Sequence, residues 1–194
     1  MTDNHSNNTY SNIASTIALI ASILAVIFSW QQNSITKEHN RQSVKPILQL
    51  TPMLEGDGKR NGLFLSNVGL GPAIIKGFEV STKKNSASGF ESDQWDSILT
   101  AVNVKADCFA TAWPTNNATV QVDGEVPLLS ITNSDNQDKC LPEMIGLVGG
   151  DEIKVKITYQ SIYGDTFVEN ATTAVRSKTV EKLYNMVYAD NKKS

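Results

Sequence analysis

The sequence predicts a mainly β domain, an antiparallel two-sheet sandwich with short helices, preceded by one N-terminal transmembrane helix. Three observations lead there. Residues 13–30 carry no charge and are dominated by Ile, Leu, Val, Phe and Ala. About seven short runs of strand-forming residues follow, separated by Gly, Asn and Asp turn signals. In the clearest run, 152–161, Ile153, Val155, Ile157 and Tyr159 face one way and Lys154, Lys156, Thr158 and Gln160 the other. That alternation marks a strand with one buried and one wet face.

The apolar run is long enough to span. At 1.5 Å per residue, 13–30 covers about 27 Å, and Tyr10 to Trp30 about 30 Å, the thickness of a hydrocarbon core. Tyr10 and Trp30 stand where interfacial aromatics belong, as anchors. Ser15, Thr16, Ser22 and Ser29 weaken the run but can bond to carbonyls within the helix. A cleavable signal would need a basic start and a small-x-small cleavage site. No Lys or Arg precedes Ile13, and the far end reads Phe28-Ser-Trp-Gln31. A retained anchor in the inner (plasma) membrane is therefore expected. Lys37, Arg41 and Lys45 flank its C-terminal side and none flanks the other, so the positive-inside rule puts the domain in the cytoplasm.

The helix is sided. Ala14, Ala18, Ser22, Ala25 and Ser29 recur on one face, opposite Ile13, Ile17, Ile20, Leu24 and Ile27. Small residues allow close helix approach, which makes this face a candidate for packing against another membrane helix, including a second copy. The competing explanation is that Ala and Ser are simply common here. Residues 31–45 then read as a polar, basic juxtamembrane helix or linker, ending before Pro46. Lys37, Arg41 and Lys45 recur every four residues and would share a helical face. They set topology, with contact to anionic lipid as the alternative.

The remaining organisation is a polar tail over 1–12, a β-rich domain over 46–175 and a C-terminal helix and tail over 176–194. Strands are expected at 47–54, 62–67, 73–82, 126–132, 152–161 and 166–171, with Val120 and Val122 alternating in a further short one. Turns or loops fall at 55–58, 68–72, 83–91, 123–125, 133–139 and 163–165. Ser92 can cap a short helix carrying Trp95, Ile98, Leu99 and Val102 on one face. A last helix, 177–188, carries Val180, Leu183, Tyr184 and Val187 at helical spacing. Such a count of short strands suggests a sandwich like immunoglobulin or fibronectin modules, without the Cys…Trp…Cys spacing of a true immunoglobulin domain.

A resemblance follows from particular segments. The membrane helix, the basic patch, Ser43-Val-Lys-Pro46, Leu65-Ser-Asn-Val-Gly-Leu-Gly-Pro-Ala73 and Ile157-Thr-Tyr-Gln-Ser-Ile-Tyr-Gly164 together resemble a loose group of uncharacterised bacterial membrane-anchored proteins. The resemblance implies a similar β-domain on a stalk and no activity.

Chemistry is sparse. From Pro46 onward there are 14 basic and 18 acidic side chains, a net of −4, in mixed order. A nucleic-acid binder would show a basic face. No histidine occurs after His39, which removes Ser-His-Asp, Cys-His and histidine–metal sites from the domain. Gly69-Leu-Gly71-Pro-Ala-Ile74 lacks the third glycine of a dinucleotide loop and precedes a strand pattern, so it reads as a tight turn whose glycines permit positive φ. Asp135 and Asp138 sit in a loop without the glycine and later Glu that calcium needs. Asn-x-Ser/Thr sites at Asn4, Asn7, Asn117 and Asn170 are explained by composition. Asp93/Asp96 and Asp151/Glu152 read as surface carboxylates. Cys108 and Cys140 are a disulfide candidate in an oxidising compartment. With the domain in the cytoplasm, two reduced, part-buried thiols are expected instead. The sum is a membrane-tethered, non-catalytic interaction module without cofactor or metal. Its expected partners are the bilayer and a membrane or membrane-proximal protein. The alternatives are a small-ligand or envelope sensor near Trp95 and Trp113, and an enzyme restricted to carboxylate, Lys and Ser chemistry.

Overall fold

The computed structural model describes residues 4–55, 60–90, 93–131, 137–175 and 177–188. It divides into two compact units, Met1–Ser43 and Val44–Ser194. The first is one helix, α1, Asn4–Ser43, of 40 residues, about 60 Å long. Over Tyr10–Ser43 it is long and apolar enough to cross a membrane. Its hydroxyls are satisfied internally: Ser15, Thr16 and Ser22 donate to the carbonyls of Ser11, Asn12 and Ala18 at 2.9, 2.8 and 2.7 Å. A hydroxyl hidden in this way costs little in lipid. The helix starts inside the stretch read as a polar tail and stops at Ser43, where Pro46 disfavours a further turn.

The second unit holds nine strands and three helices among the described residues. The strands are β1 Leu48–Leu54, β2 Asn61–Asn67, β3 Ala73–Ser81, β4 Ser86–Ser88, β5 Ala110–Thr111, β6 Thr119–Val120, β7 Glu125–Ser130, β8 Lys154–Gln160 and β9 Thr166–Thr172. All pairings are antiparallel, in a four-stranded sheet ordered β1-β2-β7-β5 and a five-stranded sheet ordered β4-β3-β8-β9 with β6 also on β3. One continuous buried cluster draws on both sheets: Leu48, Leu50, Leu63 and Leu65 from the first, Ile75, Phe78, Val80, Val155 and Ile157 from the second. β8 shows why the alternation matters. Ile153, Val155, Ile157 and Tyr159 point into this cluster, while Lys154 and Lys156 face water.

The helices are α2 Trp95–Ala101, α3 Gln137–Gly149 and α4 Lys178–Tyr188. Trp95, Ile98 and Leu99 bury the expected face of α2. The Asp93 carboxylate accepts the Trp95 amide at 2.9 Å. Ser92, read as the cap, lies outside the described residues. So do 56–59 and 133–136, where a turn, most of a loop and Asp135 were expected, and the side chain of Asp138. α3 departs from the sequence reading, which has a loop to Lys139 and no element between it and the strand at 152. Its Cys140, Met144, Ile145, Leu147 and Val148 are buried, and Pro142 lies within it. Proline and three nearby glycines, in a segment without alternating polar positions, hide a helix that burial supports. Those glycines have a use. Cβ atoms at Gly146 and Gly149 would fall 2.5 Å from Tyr188 Oη and 3.0 Å from Tyr184 Cβ, so α3 offers α4 a flat face. There the Tyr188 hydroxyl donates to the Pro142 carbonyl at 3.0 Å. Burial first, then the charge of Glu143 and the neighbouring Tyr184, push this phenol up to about 12.

The fold is thus mixed helix and sheet rather than mainly β. Because α3 is held by burial rather than by propensity, Leu147→Ala is expected to lower stability by about 2–5 kcal/mol. Denaturant unfolding measures this, and a change under 1 kcal/mol would mean that α3 is not core.

Candidate functional site

Strand directions decide what gathers at each end of the domain. β1 begins opposite the end of β2, with Leu48 paired to Asn67. β7 begins beside that point, with Glu125 paired to Ser66. On the other sheet β3 begins, β8 ends and β9 begins together, with Ile74 paired to Gln160 and Gln160 to Thr166. The two sheets share this end through Asn67, whose amide donates to the carbonyls of Gly71 at 2.8 Å and Val120 at 3.0 Å. The turns 68–72, 121–124 and 161–165 therefore lie at one end. Residues 44–47, the lead-in from α1, reach the domain there as well.

Asn67 organises that end. It is 1% exposed. Its side-chain oxygen accepts the amides of Gly69 at 3.1 Å and Ile47 at 3.2 Å. Its backbone bonds Gly124 and Asp123. Around it, Val68 N–H donates to Ile47 O at 2.9 Å and Leu70 N–H to Lys45 O at 3.0 Å. The lead-in is thus hydrogen-bonded along the turn. Gly69 and Gly71 allow this by close approach. Cβ atoms would fall 2.3 Å from Ile47 N and 1.8 Å from Val44 O. The expected positive φ is not their reason, since the positive-φ glycines among the described residues are Gly62, Gly89 and Gly164. Tyr159 adds a further tie, its hydroxyl accepting the Leu48 amide at 3.4 Å. Burial raises this phenol, against the opposing pull of the Leu48 bond, and Glu169 raises it further.

Polar needs satisfied inside, the outer surface of this end is apolar. Ile47, Val68, Leu70, Val122, Ile162 and Tyr163 are all exposed, Leu70 at 69%. Outside α1, only Val168, Val175 and Met186 join them as exposed large apolar side chains among the described residues. Such a concentration at one end is the feature of this domain with the most to offer a ligand or partner.

The residues singled out from sequence fall as follows. Ala14, Ala18, Ser22, Ala25 and Ser29 are exposed along α1, as are Tyr10 and Trp30. Lys37 and Arg41 are helical, but Lys45 lies beyond the end of α1 and does not share their face. It sits 5.3 Å over the Phe167 ring. Cys108 and Cys140 are joined in a disulfide, with Cα atoms 5.3 Å apart. The sequence reading gives these two as a disulfide candidate and as reduced thiols in a cytoplasmic domain, and the geometry is that of the first. Spacing alone could not show that the 3₁₀ turn Ala106–Cys108 abuts α3, where Glu143 also accepts the Lys105 amide at 3.0 Å.

Other places offer less chemistry. Trp113 lies edge-on to Phe78 at 4.7 Å and to Trp95 at 5.7 Å. Both indole N–H groups are consumed, by Ala112 O at 3.0 Å and Gly89 O at 2.8 Å, so neither waits for a ligand. A depression of about 570 Å³ between α3, α4 and the sheet is lined by Lys83, Asp151, Glu152, Lys178 and Glu181. Charges of both signs meet there, with Lys83 3.7 Å from Asp151 in an exposed pair. Among the described residues no three His, Cys, Asp or Glu side chains cluster to hold a metal. Comparison with family models, curated proteins and solved structures gives no match.

The sequence reading places Asn67 at the end of a strand and gives it no role. Its signal was a polar residue at a strand end, directly before Val-Gly-Leu-Gly-Pro. Asn67→Ala would strip partners from buried amides and carbonyls, at about 1–3 kcal/mol each. We expect a loss of roughly 3 kcal/mol or more in chemical unfolding, and a loss for Gly71→Ala of at least about 1–3 kcal/mol from the backbone clash. Wild-type stability in either variant would contradict the clasp.

Proposed function

We propose that the chain is a membrane-tethered, non-catalytic interaction module. In this reading α1 is the anchor, and the two sheets are the layers of a sandwich that presents its proximal end to a protein partner. The observation that supports it is the apolar surface of Ile47, Val68, Leu70 and Val122 beside the lead-in, built on a rigid, internally satisfied base. A small-ligand reading has less behind it, because the tryptophans that motivated it spend their donors on the backbone.

Two observations bear on which side of the membrane the domain occupies. Lys37, Arg41 and Lys45 favour the cytoplasm. The Cys108–Cys140 bond favours an oxidising compartment, since cytosolic reductants keep such pairs as thiols. A bias of three basic side chains is small, and we give the covalent bond the greater weight.

Full-length protein is expected to stay with membranes through an alkaline wash. In mild detergent it should migrate as an assembly heavier than the single chain. In intact cells, a membrane-impermeant reductant followed by an impermeant maleimide should label Cys108, the less buried of the two cysteines. A washed-off or strictly single chain would contradict the module. Labelling only after lysis would return the domain to the cytoplasm.

A further inference from the structure

We propose that the free edge of β9 pairs with the β9 of a second copy of this chain, antiparallel about a two-fold axis at Val168. This edge is separate from the proximal surface, and the pairing goes beyond the interaction-module reading. β9 ends its sheet, and its ladder partner is β8. Ser161 N–H donates to Asp165 O at 2.9 Å, and Thr173 N–H to Ile153 O at 3.0 Å. Hydrogen-bonded and non-bonded pairs alternate along an antiparallel ladder. Odd-numbered residues from Asp165 to Thr173 therefore turn their backbone groups to β8, while Thr166, Val168, Asn170 and Thr172 turn theirs outward. The side chains of these four are exposed, Val168 at 50%.

The other edge strands are blunted, and this one is not. A row of unpaired N–H and C=O groups is a template for another strand unless the edge is short, bulged or carries Pro or Lys. β4, β5 and β6 have three, two and two residues. β1 carries Pro52, which has no N–H, and its first amide, Leu48, is taken by the Tyr159 hydroxyl. β9 runs seven residues, Thr-Phe-Val-Glu-Asn-Ala-Thr, without Pro, Gly, Lys or a register shift.

Two observations select the occupant. Among the described strands only β9 combines length with outward groups, so a copy of the chain meets it with its own β9. The strand is also compatible with itself. Its single charge, Glu169, bars a pairing centred on that residue, since like charges would stand directly opposite. Centring the axis on Val168 removes this and sets the exposed apolar side chain of the strand against its counterpart. Thr166 then faces Asn170, and Phe167 faces Glu169. Three hydrogen-bonded pairs form, each exchanging two bonds. The water-facing rows across the junction read Thr158-Val168-Val168-Thr158 and Lys156-Asn170-Thr166-Gln160, with no charge beside its like.

The test uses the full-length protein in its own membranes with the native disulfide intact. A photo-crosslinking amino acid at Val168 should give an adduct of twice the chain mass, mapping to β9, and the same probe at Met186 on α4 should not. The association constant read from energy transfer between differently labelled chains should fall roughly five-fold when both carry Val168→Lys or both carry Val168→Glu, because like charges then meet at the axis. Mixing Val168→Lys chains with Val168→Glu chains should restore it. Protease resistance of the domain should stay at the wild-type level in each variant, since position 168 faces water. No adduct from Val168, an adduct with lipid or another protein, or an equal loss in the mixed pair overturns the proposal. The interaction-module reading is tested apart from it by the same probe at Leu70, where the absence of any protein adduct would count against that reading and leave the pairing of β9 in place.

Discussion

The hydrogen bonds of one buried asparagine hold the proximal end together. Asn67 sits where β1 starts, β2 ends and the turns into β3 and β7 cross, and its side chain serves two amides and two carbonyls at once. A buried polar group is tolerated only when satisfied, and here satisfaction requires three segments, around Ile47, Asn67–Gly71 and Val120, to be in place together. The lead-in from α1 is thereby part of the folded domain instead of a loose tether. Gly69 and Gly71 make the arrangement sterically feasible, because backbone lies against backbone with no room for a Cβ.

Elements with a strong period were legible from the residues. β8 alternates without interruption, and its buried and exposed positions follow that pattern. The apolar face of α2 was equally plain, since Trp95, Ile98 and Leu99 recur at helical spacing. What was not legible depended on contacts between distant segments. α3 carries Pro142 and a run of glycines, and only its burial against the sheets and α4 makes it a helix. The short strands β4, β5 and β6 exist because neighbours accept their hydrogen bonds. Lys45 has the spacing of a helical residue, yet chain geometry at Pro46 moves it onto Phe167. The cysteine pair was visible as a pair, while its bonding depended on where a 3₁₀ turn meets α3.

Site and fold have the same origin. An end of the domain that satisfies its polar groups inwardly has apolar side chains left to face outward, and a rigid base keeps them there. That surface, in a chain that also carries a helix apolar enough to cross a membrane, is the basis for our proposal of a tethered interaction module. The Cys108–Cys140 bond and the Glu143–Lys105 contact stiffen the far side of the core, so the proximal surface is presented by a body with little freedom to rearrange.

Amide hydrogen exchange on the full-length protein tests the central claim directly. If Asn67 clasps the lead-in into the core, the amides of Ile47, Val68, Gly69 and Leu70 will exchange as slowly as those of β8, through global unfolding. Exchange at the rate of an open loop, with β8 still protected, would show that the lead-in is free and that the clasp does not exist.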